Sequence, residues 1–456
     1  MPGRPNRRSM LAAISALPLT GALSACSGDD SASTGSRSES STSGTSGTAG
    51  SSGRTTITFW SAMRGSQAVV DEFNRTHDHI RVEYEQTPAG TQGYMKLSNA
   101  ARAGNAPDIA TIEYPQLPGF AIDGVTLDIT SLMSDDLKRK LLPQSLAQTT
   151  FEKHTHAVPS DIEPMVMHYR KDLFDHYGFE VPGTWDEFAA LARAVRRTGG
   201  GRRLTVFPTD SFTQFACWAW QAGAQWFDTS KGAWNVSLTD APTRKIAAYW
   251  QRLIDEELVY VNSSTARIYD AQIGNGQVLT RLSGAWEAGA QLTKQPGQKG
   301  KWRIAPLPQW DAKRPSLGTH GGSSFAVTKD SRHPEAAMEF LEWQVASPDA
   351  LKARLTSGVS SAYPAVTELV PVGREAFDEG YYGGQDIYGL FEEEAHKIGA
   401  DWTWGPRMTA TGTVIQDSFA RAGAGAGTVL SSMHAAQDGT MPDLKALGLS
   451  TTQHST

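Results

Sequence analysis

Asp161 and Glu163 stand one residue apart in Pro159-Ser160-Asp161-Ile162-Glu163-Pro164, and paired carboxylates serve either bond cleavage or the recognition of hydroxyl groups. Cleavage needs partners that the chain does not supply. No Gly-x-Ser-x-Gly elbow occurs, and His154-Thr155-His156 has no His-Glu-x-x-His helix behind it, so those histidines read as an exposed polar turn and not as metal ligands. Gly199-Gly200-Gly201 lacks the spacing and the following Lys of a phosphate loop and reads as a helix end and turn. Cys217, within Phe215-Ala216-Cys217-Trp218-Ala219-Trp220, reads as a small buried apolar residue. Recognition, in contrast, is well equipped. The chain carries thirteen Trp, and the flat indole suits the apolar face of a pyranose ring whose hydroxyl rim needs carboxylates or amides. A binding protein with no catalytic residue, no metal and no cofactor is therefore expected.

The elements that hold these groups follow from periodicity. Thr56-Ile57-Thr58-Phe59-Trp60 reads as a strand, Val69, Val70 and Phe73 share a helical face, and Ile80, Val82 and Tyr84 alternate as a second strand. A helix from about Tyr94 to Ala103 leads to the strand Asp108-Ile109-Ala110-Thr111-Ile112. Parallel strands with helical crossovers receive ligands at their carboxyl ends, which makes Trp60 and Glu113 candidates by position. A second α/β region opens after Pro159 with a strand from Met165 to Tyr169. Thr184-Trp185-Asp186-Glu187 fits a capping box for a helix bearing Phe188, Leu191, Ala192 and Val195 inward. Later, Ser324-Phe325-Ala326-Val327 reads as a strand, and Pro334 opens a helix.

The amino terminus sets the compartment. Arg4, Arg7 and Arg8 precede an uncharged apolar run ending in Leu23-Ser24-Ala25-Cys26, the layout of a signal peptide over residues 1–25. The ending resembles the lipobox of bacterial lipoproteins, which makes Cys26 the lipidation site. The Arg7-Arg8 pair leaves the export route, general or twin-arginine, open. Residues 26–54 then form a Ser/Gly tether with nothing to bury. The remaining part, about four hundred residues, exceeds what one core usually serves, so two lobes are expected. A net charge of −6 with mixed signs argues against nucleic acid as a partner.

At His168-Tyr169-Arg170-Lys171-Asp172-Leu173-Phe174, followed by Val181-Pro182-Gly183-Thr184-Trp185-Asp186-Glu187-Phe188, the chain resembles the family of extracellular solute-binding proteins that includes the maltose-binding protein. Ala106-Pro107-Asp108-Ile109, Ser283-Gly284-Ala285-Trp286 and the stretch from Gly321 to Ala350 add matches in family order. The resemblance implies an α/β, two-lobed periplasmic-binding-protein-like fold with a multi-crossing hinge and a ligand cleft between the lobes. Laid on this chain, the first lobe takes 55–160 and about 308–358, and the second about 161–307 and 359–456. The crossings fall near Pro159 to Glu163, Pro306 to Pro308, and Gly358 to Tyr363.

The function implied is that of an extracytoplasmic lipoprotein of an ABC importer. It captures a mono- or oligosaccharide by lobe closure and passes it to membrane permease subunits, working as a monomer on the outer face of the cell membrane. Its ligand-binding candidates are Trp60, Glu113, Asp161, Glu163, Phe212, Trp220, Trp286, Glu287, Gly321, Tyr363, Trp402 and Trp404. For each acid the competing reading is a solvated loop, and for each tryptophan it is a packing residue. The candidates include no Lys/Arg cluster, which weighs against a phosphorylated ligand. A secreted carbohydrate-active hydrolase, or a sensor or adhesion lipoprotein without transport, are the alternatives. Cys26→Ser is expected to release the chain into the medium or leave it unprocessed. Fractionation of cells checks this, and a wild-type chain found wholly in the soluble secreted fraction would count against the anchor.

Overall fold

Ile57 and Phe59 point to one face of the first strand, and both are fully buried in the computed structural model, which describes residues 53–229, 232–358 and 360–453. Cys26, the leader and all but the last two residues of the tether lie outside the described residues. β1 (Thr55–Ser61) is followed by α1 (Ser66–Thr76), whose Val69, Val70 and Phe73 cover that buried face. Next come β2 (Ile80–Gln86), α2 (Thr91–Arg102) and β3 (Ile109–Glu113). β1 lies between β2 and β3 and pairs with both in parallel. The strand Ser323–Val327 adds to β3 in the antiparallel sense, with Val158–Pro159 beyond it. One face of this sheet packs on a core in which Phe59 meets Phe325 and Phe340 edge to face at 5.7 and 5.6 Å. The other face is covered by Leu97, Leu117 and Phe120 against Ile112. The sheet is thus buried on both sides, as crossover helices require.

In the second lobe the strand Met165–Arg170 runs between Thr280–Gly284 and Trp302–Pro306, antiparallel to each. All six of its residues are buried, which explains a run without polar alternation. The helix Trp185–Arg197 begins with the expected capping box. Thr184 accepts the Glu187 N–H, and the Glu187 carboxylate accepts the Thr184 N–H. Gly199, Gly200 and Gly201 follow it with φ of 76°, 62° and 73°, a left-handed run that glycine alone adopts cheaply.

This lobe consumes most of the indoles. Trp185, Trp218, Trp226, Trp250 and Trp302 are each less than 2% exposed. Trp218 stacks on Trp250 at 4.1 Å, and the N–H groups of Trp185, Trp226 and Trp302 donate to Gln221, Thr243 and Gln298. Cys217 is buried among them, and desolvation pushes its thiol far above the usual range.

Two stretches pack differently from the sequence-based division. Trp310 stacks on Trp185 and Leu317 joins the second core, so the chain between Pro308 and Leu317 packs with the second lobe. Ala365, Val366 and Leu369 join the first core. Pro306, read from the sequence as part of a connector, instead ends an edge strand, a place where a missing N–H costs nothing.

His168 sits wholly inside the second lobe, its Nδ1 3.1 Å from the Tyr382 hydroxyl. Burial, helped by the Arg281 charge, lowers its pKa to about 3. The unfolded chain takes up this proton below about pH 6.5 and the folded protein does not, so stability is lost as pH falls through that window. The melting temperature of the wild type is therefore expected to fall more steeply from about pH 6.5 to about pH 4 than that of His168→Gln. Equal slopes would show that the folded protein holds an imidazolium.

Candidate functional site

Where the chain passes between the sheets, three segments are laced by their backbones. The Ile162 N–H donates to the Tyr363 carbonyl at 3.0 Å, Ala365 to Ser160 at 3.2 Å, and His320 to Glu163 at 2.9 Å. Side chains lock the crossing. The Asp161 carboxylate accepts the Ser323 N–H at 2.9 Å and Arg354 Nη2 at 2.6 Å, while the Tyr114 hydroxyl donates to the Asp161 carbonyl at 2.6 Å. Gly322, at φ 109°, lies so close to Tyr114 that a Cβ would sit 2.5 Å from its ring. Only glycine fits there.

Two cavities open around this crossing. The first, about 400 Å³, is lined by Trp60, Glu113, Asp161, Glu163, Trp286 and Gly321 among others. The second, about 380 Å³, shares Glu113, Trp286 and Gly321 with it and extends past Glu287 into the second lobe. Both volumes are in the range of small-molecule sites, and the shared residues make them parts of one cleft.

Trp286 lines both cavities. Its backbone N–H donates to Glu163 Oε2 and its Nε1 donates to the His320 carbonyl, each at 2.9 Å. Gly321, at φ 99°, lets the indole approach, since a Cβ there would lie 3.1 Å from Nε1. Burial, with the Asp161 charge, pushes the Glu163 carboxyl up, while Arg354 and the backbone N–H groups of Trp286 and Tyr363 favour the anion. On the opposite wall Glu113 accepts the Tyr94 hydroxyl at 2.9 Å, and Lys96 Nζ lies 4.1 Å from the centre of the Trp60 ring. The arrangement can present acceptors and an indole to a polar ring. It holds no activated nucleophile, because Asp161 and Glu163 are occupied by the hydrogen bonds that fasten the crossing. Separated by one residue, both line the first cavity, where they act as a clamp rather than an acid and base pair.

Of the residues singled out in the sequence, Trp60, Glu113, Asp161, Glu163, Trp286, Glu287 and Gly321 come together here. Phe212, Trp220, Tyr363, Trp402 and Trp404 line neither cavity. Trp220 stacks on Trp402 at 5.1 Å, Trp402 meets Trp404 at 5.2 Å, and Phe212 stands edge to face with Trp404 at 6.5 Å, so these rings fill the second core. Tyr363 is fully buried and serves the crossing through its backbone. The exposed His154 Nδ1 lies 2.6 Å from an Asp128 carboxylate oxygen, and His156 Nδ1 faces the Thr126 hydroxyl, partners that account for both histidines.

The sequence reading missed Arg64, Tyr94, Arg354, Arg281 and His320, all in the cavity walls. The cleft is therefore richer in cations than expected, although Arg354 and Arg281 are ion-paired to Asp161 and Glu287. Arg64 makes no hydrogen bond or ion pair among the described residues, and it follows β1 by three positions. The rule that ligands meet strand ends, which found Trp60, reaches it as well.

Comparison with known proteins agrees with this architecture. The chain matches the model of the bacterial extracellular solute-binding protein family over residues 61–350. It is 26% identical over 265 residues to an arabinooligosaccharide-binding protein of Halalkalibacterium halodurans, an alignment spanning 55% of this chain and 57% of that one. Among solved structures, the galacto-N-biose-/lacto-N-biose I-binding protein of the ABC transporter from Bifidobacterium longum, in complex with lacto-N-biose, superposes with a TM-score of 0.78. That match has 26% identity and covers 88% of this chain and 99% of the other. The ABC transporter associated binding protein from B. animalis subsp. lactis, in complex with beta-1,6-galactobiose, gives 0.76 at 26% identity, covering 88% and 100%. With two α/β lobes, a laced crossing and a cleft over Trp286, the chain belongs to the bacterial extracellular solute-binding protein family, a family of binding proteins and not of enzymes.

Proposed function

We propose that this protein is the extracytoplasmic capture subunit of an ABC importer and that it binds a carbohydrate in the cleft lined by Trp286. The observation that carries this reading is the position of Trp286. Its backbone N–H is held by Glu163 and its indole Nε1 by the His320 carbonyl, and it lines both cavities, whose walls offer carboxylates. A sugar presents apolar C–H faces and a hydroxyl rim, and such a wall answers both. Trp60 and Glu113 contribute from the first lobe, Glu163, Trp286 and Glu287 from the crossing and the second. Relatives that bind arabino-oligosaccharides and galactobiose support the ligand class.

A ligand touching both walls favours the state in which they are closer, so capture closes the lobes and presents a loaded form to permease subunits. Lipidation of Cys26 would hold the monomeric protein at the outer face of the membrane, with the Ser/Gly tether leaving the binding lobes free to meet the permease.

A thermal-shift screen with arabino- and galacto-oligosaccharides tests the reading, since a ligand that binds the folded state alone raises its melting temperature. Titration calorimetry with a hit is expected to show Trp286→Ala weakened by at least roughly tenfold, equivalent to about 1.4 kcal/mol. An alanine variant of unchanged affinity but much lower melting temperature would make Trp286 a structural residue only. Small-angle scattering is expected to give a smaller radius of gyration with saturating sugar, and an unchanged radius would remove the closure step.

A further inference from the structure

Beside the crossing, the lobes also meet along a seam that ends in an exposed ion pair. α3 (Leu117–Ile122) belongs to the first lobe, where Leu117 and Phe120 cover the sheet. The chain from Ala395 to Met408 belongs to the second, since Ile398, Trp402, Trp404 and Met408 join its core. Between them both Nη atoms of Arg407 donate to the Asp123 carboxylate, each at 2.9 Å, and the Thr409 hydroxyl donates to the Gln116 side-chain carbonyl. Gly119 comes so near Pro406 that a Cβ would lie 2.8 Å from its carbonyl oxygen, an approach that needs glycine.

The two ends of the seam differ in what they are tied to. Gln144 and Gln148, on and just after the helix Pro143–Ala147, donate to the Ala395 and Trp402 carbonyls at 3.4 and 3.2 Å. That helix is fastened to the crossing, because the Leu142 N–H before it donates to the Ala365 carbonyl at 2.8 Å. Its contacts therefore sit close to the pivot. The α3 end borders the cleft, since Pro115, two residues before α3, lines the second cavity together with Thr213 and Gln214 of the second lobe. Cleft walls that separate there carry α3 away from Arg407. The Asp123 and Arg407 side chains are 41% and 26% exposed, so the pair adds little to the fold, yet its two bonds form one planar fork that is made or lost as a unit.

Resting on the closure step above, we infer that Asp123 and Arg407 are positioning residues for capture, a latch between α3 and the second lobe that restrains the separation of the cleft walls. The latch touches no solute. It raises the share of ligand-free molecules whose walls already lie near each other, and apparent affinity scales with that share.

Small-angle scattering of the ligand-free, full-length protein reads the latch without a ligand. Arg407→Glu and Arg407→Gln are expected to enlarge the radius of gyration, and the exchanged pair Asp123→Arg/Arg407→Asp is expected to bring it back. Calorimetric titration with beta-1,6-galactobiose or arabinotriose is expected to show the single variants weakened by about two- to fivefold and the exchanged pair restored. A radius unchanged or smaller in both single variants would overturn the inference, as would an enlargement that the exchange does not reverse. Shrinkage of the wild type with saturating sugar would keep the closure step in place in either case. Enlarged radii restored by the exchange uphold the latch even where neither sugar binds, an outcome that counts against the carbohydrate reading alone.

Discussion

A carboxylate carried into the interior at a chain crossing has to be met by donors, and Glu163 meets that constraint with the backbone N–H of Trp286. The bond joins the first crossing segment to the start of the helix Glu287–Lys294, so it ties the connection between the lobes directly to a residue that lines both cavities. Thr319, His320 and Gly321 close the same loop from the third side. The Glu163 N–H donates to the Thr319 hydroxyl, the Glu163 carbonyl accepts the His320 N–H, and the His320 carbonyl accepts the indole. A displacement of any one strand of this crossing is therefore felt at Trp286, which gives the hinge and the site a common set of bonds.

The cost of this arrangement lies in buried charge. Asp161 with Arg354 and Glu287 with Arg281 are pairs whose desolvation can exceed their mutual attraction, and hydrophobic replacements of equal volume are often as stable. The two pairs differ in how they recover that cost. Asp161 is also bonded to Ser160 and Ser323 and fastens the crossing, whereas Arg281 and Glu287 lie 3.0 Å apart with the guanidinium over the Tyr269 ring.

What could be read from the sequence was what local pattern determines. β1, α1 and β2 followed from alternation and helical spacing, and Thr184 with Glu187 announced a helix start that the structure reproduces bond for bond. Trp286 and Glu163 were found through motifs in family order, and Trp60 and Glu113 through their place at strand ends. The destination of the other aromatics was not legible. An indole that stacks on a sugar and one that stacks on Trp402 have the same local sequence, and only the tertiary neighbours tell Trp220 from Trp286. Arg281 was hidden for a related reason, since it lies in a fully buried strand whose pattern reads as core. The second crossing was misjudged because proline composition marks strand ends and connectors alike.

The unequal division of tryptophan between core and cleft also governs how this protein would be seen by light. Of thirteen indoles, Trp60 and Trp286 line the two cleft cavities, while Trp218 with Trp250 and Trp220 with Trp402 stack face to face in the second core. The intrinsic emission is consequently dominated by rings that never meet the solute, and stacked pairs pass excitation between themselves. Placing a reporter for occupancy therefore means working against the second core's own glow. A fluorophore on the exposed Met95 side of α2, outside that core and on the helix that carries Tyr94 to Glu113, would give the cleft an optical signal of its own.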